Sequence, residues 1–386
     1  MPTHQILPPT AGISCHAWNA DMSMLALCPN NNELHIYEGC HNPDVTQWRR
    51  AHVLAEHDLV ISGISWSPVT NKIVTCSHDR NAFVWTLDAA QAKWIPTLCV
   101  LMIDRAALDV QWSPSGAKFA VGSGSKTVAV SHYDSSQGSD WYISKLIKKH
   151  KSSVTQLAWH PNSQVLATAC SDFKCRVVSA TVPEVDAAPD AGPLGSPRPF
   201  GDVYRELSCS GWVTAVAWSP SGTVLAYAGQ GSTVQVARFG QAGAAPVEQT
   251  VRYPLMPLGR LCFVSEKALV GGGHDMGPLV FSADASGAWS FREQLDQKKE
   301  GRRASTEVSQ MAAARAMFQA KTTRGQSGGS GGDELTTQHA NAITSLQPMG
   351  RAGDPTCSKF STAGMDGRLV VWELPSLNID LAALGL

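Results

Sequence analysis

Ile64-Ser65-Trp66-Ser67-Pro68 places an apolar residue two positions before a tryptophan and follows it with a Ser-Pro turn, and the architecture is read outward from this pattern. It returns as Ala17-Trp18-Asn19, Val110-Gln111-Trp112-Ser113-Pro114, Leu157-Ala158-Trp159-His160-Pro161 and Val216-Ala217-Trp218-Ser219-Pro220. The five tryptophans lie 48, 46, 47 and 59 residues apart, and degenerate copies follow at Phe263, 45 further on, and at Leu346, 83 beyond that. Self-similarity at this period marks an array of supersecondary units. Seven units fit the 386 residues at the roughly 40–45 residues that each blade of a closed β-propeller uses.

Within a unit, a second alternating strand follows the turn, as in Lys72-Ile73-Val74-Thr75-Cys76, Lys118-Phe119-Ala120-Val121 and Val165-Leu166-Ala167-Thr168-Ala169. A tight turn and a third strand come next: Ser77-His78-Asp79-Arg80-Asn81 before Ala82-Phe83-Val84-Trp85, Ser171-Asp172-Phe173-Lys174 before Cys175-Arg176-Val177-Val178, and Gly364-Met365-Asp366-Gly367 before Leu369-Val370-Val371-Trp372. These are WD-repeat blades, and the expected fold is all-β, a single seven-bladed propeller spanning residues 1–386. Each blade buries its faces only against neighbours, and closure of the ring removes exposed sheet edges. His57, nine residues before Trp66, stands where it can bond Asp79, whose turn leads to Trp85. His57, Asp79, Trp85, Asp172, Asp366 and Trp372 therefore read as structural.

Composition narrows the function. Thirty-one basic and thirty-two acidic residues give a net charge of −1, which supplies no global field for a nucleic acid or an anionic membrane. No run of 18 apolar residues occurs, so no membrane insertion is expected. The start of the chain lacks the basic and apolar runs of a signal peptide. The ten cysteines, without a C-x-x-C pair, read as reduced and mostly buried thiols rather than disulfides or a zinc site.

Two stretches interrupt the period. Residues 183–200 carry Pro183, Pro189, Pro193, Pro197 and Pro199, which exclude helix and central strand, and read as a surface loop or a partner-binding arm. Residues 284–338 read as a second insertion. Ser305-Thr306-Glu307 and the run Met311 to Phe318 predict a helix over 306–321, and a Gly/Ser tether occupies 325–332. Val308, Met311, Ala314 or Arg315, and Phe318 fall near one face at helical spacing. A helix this short is marginal alone, so it must pack on something, and docking to a partner is the sharper reading. Arg302-Arg303-Ala304-Ser305 has the form of a basophilic kinase site, making Ser305 a candidate phosphosite.

The search for catalysis finds little. Gly271-Gly272-Gly273-His274-Asp275 lacks the G-K-[ST] ending of a phosphate loop and sits where the sixth blade needs a strand and turn. His150 and His339 precede anchor strands in register with His57 and read as structural too. No nucleophile elbow or metal-protease motif is present. The expectation is a protein that is not an enzyme, with no cofactor and no metal.

Ile13-Ser14-Cys15-His16-Ala17-Trp18, Cys28-Pro29-Asn30-Asn31, His35-Ile36-Tyr37-Glu38, Asp79 to Leu87, Lys118 to Ser125, Cys170 to Arg176 and Pro199-Phe200-Gly201 resemble the subunit 1 family of the actin-related protein 2/3 complex. The resemblance runs from about Ile13 to Leu377. It implies a cytoplasmic, non-catalytic scaffold of the actin cytoskeleton in an assembly that nucleates branched actin. The implied partners are two actin-related proteins, which would bind the ATP, small core subunits, and the side of an actin filament. In the family the helix of the late insertion touches the mother filament. That role carries over to Ala313, Arg315, Met317, Phe318 and Gln319, although Met317, the extra alanines and the tether depart from the family pattern. Two other readings belong to other classes. A ubiquitin-ligase receptor propeller would show an arginine two residues after the Trp-Asp pair, but here Trp85 is followed by Thr86 and Leu87, and Trp372 by Glu373 and Leu374, and the signal is missing. Coat-type propellers commonly lack a helical insertion in the last blades.

Overall fold

The computed structural model describes residues 3–6, 11–134, 141–296, 337–350, 356–374 and 385. Its strands form seven four-stranded antiparallel sheets, each built from sequence-adjacent strands except the last. Every anchor of the repeat lies on an innermost strand: Cys15–Trp18, Ile61–Trp66, Ala107–Trp112, Val154–Trp159, Val213–Trp218, Leu258–Ser265 and Ile343–Pro348. The molecule is thus a seven-bladed propeller, with blades 1 to 7 numbered in that order.

In blades 2 to 5 the Ser-Pro or His-Pro turn after the innermost strand brings the chain back through a left-handed residue. Asn71, Gly116, Ser163 and Gly222 all have φ between 54° and 74° at that point. At Gly222 no side chain would fit, since a Cβ would come within 2.1 Å of His160 Nε2. The turn thereby fixes the register of strands one and two.

The core is a ring of seven separate clusters, one in each seam between neighbouring blades. Trp66 and Trp85 of blade 2, for example, pack with Ala26 and Ile36 of blade 1. A blade therefore has no hydrophobic interior of its own, and its stability comes from the seams. The last seam and the last blade close the ring. Thr3–Gln5 supplies the outer strand of blade 7, pairing antiparallel with Arg368, Leu369 and Val370. Sequence reading missed that closing strand, because three residues carry no periodicity.

Both insertions leave the regular blades at an outer edge. Residues 183–200 run between the third strand of blade 4, Lys174–Ser179, and its outer strand, Val203–Ser208. They hold a single 3-10 turn, Gly192–Leu194, and their Leu194 and Ala191 are buried against blades 4 and 5. Of the stretch read as the second insertion, residues 289–294 are the strand Trp289–Gln294, the outer strand of blade 6. Its Phe291 opposes Phe281, so the strand is recruited by cross-strand aromatic packing despite its charged neighbours. The expected helix 306–321, the tether 325–332 and Ser305 lie outside the described residues.

Candidate interaction surface

Of the residues read as structural, those of blades 2 and 7 come together in two hydrogen-bonded chains. In blade 2, Trp85 Nε1 donates to Thr75 Oγ1 at 3.0 Å, Thr75 lies 2.9 Å from His57 Nε2, and His57 Nδ1 lies 2.7 Å from Asp79. Burial pushes the His57 imidazole below its ordinary pKa against the pull of Asp79, so the ring is neutral, with Nδ1–H donating to the carboxylate and Nε2 accepting from the hydroxyl. Blade 7 repeats the chain: Trp372 to Thr362 at 2.8 Å, Thr362 to His339 at 2.7 Å, His339 to Asp366 at 3.2 Å.

Blade 4 is built differently. The position ten residues after Thr168 is Val178, and the side chain opposite Thr168 is Arg176, almost fully buried. Arg176 takes the Asp172 carboxylate at 2.7 Å and Glu206 at 3.0 Å, while His150 keeps only its bond to Thr168, 2.9 Å. Burial holds the His150 pKa down at about 4, assisted by the Arg176 charge. Asp79, Asp172 and Asp366 nonetheless share one task. Each accepts a backbone amide from the connector that enters the blade, from Asp58, Lys151 and Ala340, and another from its own turn, from Asn81, Lys174 and Arg368.

These bonds also orient the surface. The connectors between blades and the turns between second and third strands emerge together on one face of the ring. Asp104 and Arg105 amides bonded to Ser125 Oγ at 3.1 and 2.9 Å, and the Met256 amide bonded to Asp275 at 2.7 Å, repeat the arrangement in blades 3 and 6.

The ring encloses a central cavity of about 760 Å³, lined by the innermost strands of all seven blades. Its buried carboxylate, Asp109, is pushed up to about 6 by burial, with the Arg260 charge pulling the other way. That carboxylate accepts the Leu157 amide at 2.9 Å, just as Gln156 accepts the Val216 amide at 2.8 Å. Both polar side chains are thus spent on joining blades, a structural duty no sequence motif announces. Gly271, Gly272 and Gly273 lie in a strand of blade 6, Ala268–Gly273, where a Cβ would come within 2.5 Å of the Leu258 side chain, 2.8 Å of the Ile343 side chain and 2.5 Å of the Pro257 carbonyl in turn. All ten cysteines are free thiols, and only Cys209 is not buried. Among the described residues no cluster of His, Cys, Asp or Glu has the arrangement of a metal site, and no helix is long and apolar enough to cross a membrane.

Fold and surface together define a WD-repeat propeller that offers faces and edges for binding. The WD domain, G-beta repeat family matches residues 48–86, 141–179 and 201–236. The chain is 43% identical over 371 residues to actin-related protein 2/3 complex subunit 1B of Arabidopsis thaliana, covering 96% of each protein. It is 41% identical over 389 residues to subunit 1A-B of Xenopus laevis, covering 100% of this chain and 99% of that one. Against subunit 1 of Schizosaccharomyces pombe the identity is 36% over 375 residues, 93% and 96% of the two chains. The chain belongs to the actin-related protein 2/3 complex subunit 1 family.

Proposed function

We propose that the chain is the propeller subunit of an actin-related protein 2/3 complex, a non-catalytic scaffold that supports nucleation and branching of actin filaments in the cytoplasm. The observation that carries this reading is similarity at 36–43% identity over nearly the whole chain to proteins bearing that subunit's name. An unbroken ring of seams supports it, because a rigid ring holds several partners at fixed angles. On this reading the partners are two actin-related proteins and small core subunits, and the segment around Val308, Met311, Arg315, Met317, Phe318 and Gln319 contacts the mother filament.

The test is affinity purification of the tagged chain from its own cells, with co-purifying proteins identified and branching of pyrene-labelled actin assayed on the eluate. Two actin-related proteins and branching activity are the expected result. Recovery of ligase or coat components instead would sink the reading.

A further inference from the structure

The face that carries the connectors and turns has a composition the blades do not require. Arg80, Arg105, Lys126, Lys148, Lys149 and Lys151 are all exposed on it, over blades 2 to 4. Of the carboxylates in the same connectors and turns, Asp79 and Asp172 are buried against His57 and Arg176, so six exposed cations stand against three exposed carboxylates, Glu56, Asp58 and Asp104. Lys149 reaches only an exposed Asp202, at 3.9 Å. In a chain whose net charge is −1, this is a local concentration of positive charge.

Apolar side chains share the face. Leu59 is 53% exposed, Met102 60%, Phe173 47%, Trp212 50% and Met256 49%, each at a connector or turn. Some of these tips are held at a cost. Arg80, Lys126 and Phe173 occupy the left-handed position of their turns, with φ of 74°, 63° and 69°, where blade 7 uses Gly367 at 73°. Glycine would relieve that strain, so the turns keep charged and aromatic tips against the local preference of the backbone.

We propose that this face docks on an anionic lipid bilayer, its lysines and arginines among the headgroups and its apolar tips in the interfacial layer. The arrangement favours a surface over a peptide. The five apolar tips stand on separate loops from the blade 1–2 connector round to the blade 5–6 connector, so a plane meets all of them and one extended segment meets one or two. Tryptophan and phenylalanine at a membrane interface, beside lysines drawn by negative headgroups, are the chemistry such a surface selects. The inference goes beyond the scaffold reading and does not depend on it.

Flotation of the full chain, purified with the subunits that accompany it, tests this on vesicles of phosphatidylcholine alone and with phosphatidylserine. Partition is expected on the anionic vesicles only, weakening as salt is added. Reversal at Lys148→Glu, Lys149→Glu and Lys151→Glu together should reduce it about a hundredfold or more, and Phe173→Ser with Trp212→Ser several-fold, while co-purifying subunits and thermal midpoint stay unchanged. Should the aromatic pair fail to fold, the lysine variant still decides. Equal partition on neutral vesicles, no partition at all, or insensitivity to the lysine reversal overturns the proposal. So does a wild type that ignores vesicles and binds an acidic tryptophan-containing peptide in solution.

Discussion

The hydroxyl of Thr155 in blade 4 donates to the carbonyl of Val213, the first residue of the innermost strand of blade 5, at 2.9 Å. Ser14 makes the same bond to Ile61, Ser62 to Ala107, Thr214 to Leu258 and Thr344 to Ile13, the last joining the two ends of the ring. Only Leu108 and Gly259, at the matching positions of blades 3 and 6, have no hydroxyl to offer. Five seams thus share a half-buried latch at the start of the innermost strands.

Thr155→Val keeps the shape and removes the donor. The Val213 carbonyl then loses its partner, and the expected loss is about 1–2 kcal/mol, read from the urea midpoint. A change at Leu108, which has no latch to lose, should leave that seam bond count unaltered and serves as the comparison.

Lys118 anchors the proline-rich loop. Its side chain is fully buried, donates to the Ala180 carbonyl at 2.9 Å and to Asp186, and lies 5.5 Å from the Trp159 ring centre. Burial pushes the amine below its ordinary pKa while Asp186 holds it charged. Lys118→Met strands a carboxylate that also accepts the Val182 amide, so the expected cost is about 3–5 kcal/mol. Limited proteolysis should then cut within residues 183–200, and the double variant Lys118→Met with Asp186→Leu should recover much of the loss.

His150 makes stability depend on pH. The folded protein keeps it neutral down to about 4, whereas an unfolded chain protonates its histidines near ~6.5. Below ~6.5 the unfolded state binds the extra proton, so this contribution is whole above that pH and is lost as pH falls toward 4, by up to about 1.4 kcal/mol per unit. His150→Gln retains a donor for Thr168 and cannot titrate. Its unfolding free energy should fall less steeply between pH 6.5 and 4 than that of the wild type, by about one proton's worth of slope.

Much of this was legible in the residues. Trp18, Trp66, Trp112, Trp159 and Trp218 mark five innermost strands because a bulky ring at that place fills a seam, and the same need kept Phe263 and Leu346 recognisable. What escaped reading depends on distance in space. Trp289–Gln294 looks like part of an insertion until Phe281 is set opposite Phe291. The Asp186 partner of Lys118 lies 68 residues away, and the latch from Thr344 to Ile13 crosses 331. Nor did near-neutral net charge reveal that Lys148, Lys149 and Lys151 share a face with Arg80 and Lys126, since that requires knowing which turns emerge together.

On the proposed function, Phe318→Asp should leave the set of co-purifying subunits intact and weaken filament binding or branching. Burying one phenylalanine contributes roughly 1.5–3 kcal/mol, so filament affinity should drop by one to two orders of magnitude in co-sedimentation. Failure of the complex to assemble would place this segment inside the complex instead.

The ring closes on three residues. Thr3, His4 and Gln5 pair with Val370, Leu369 and Arg368, and Ile6 packs on the cluster between blades 7 and 1. Removing residues 1–6 takes away those ladder bonds and the Ile6 contact, about 2–4 kcal/mol together. The strand Arg368–Glu373 would then become an open edge, and an open edge recruits strands from other molecules. The truncated chain should therefore melt at lower temperature and associate with rising concentration, both measurable by calorimetry and light scattering. Supplying residues 1–6 as a peptide should reverse the association, whereas a scrambled peptide should not. An unchanged midpoint would mean that the seam between Ile13 and Ala363 holds the ring closed without the added strand.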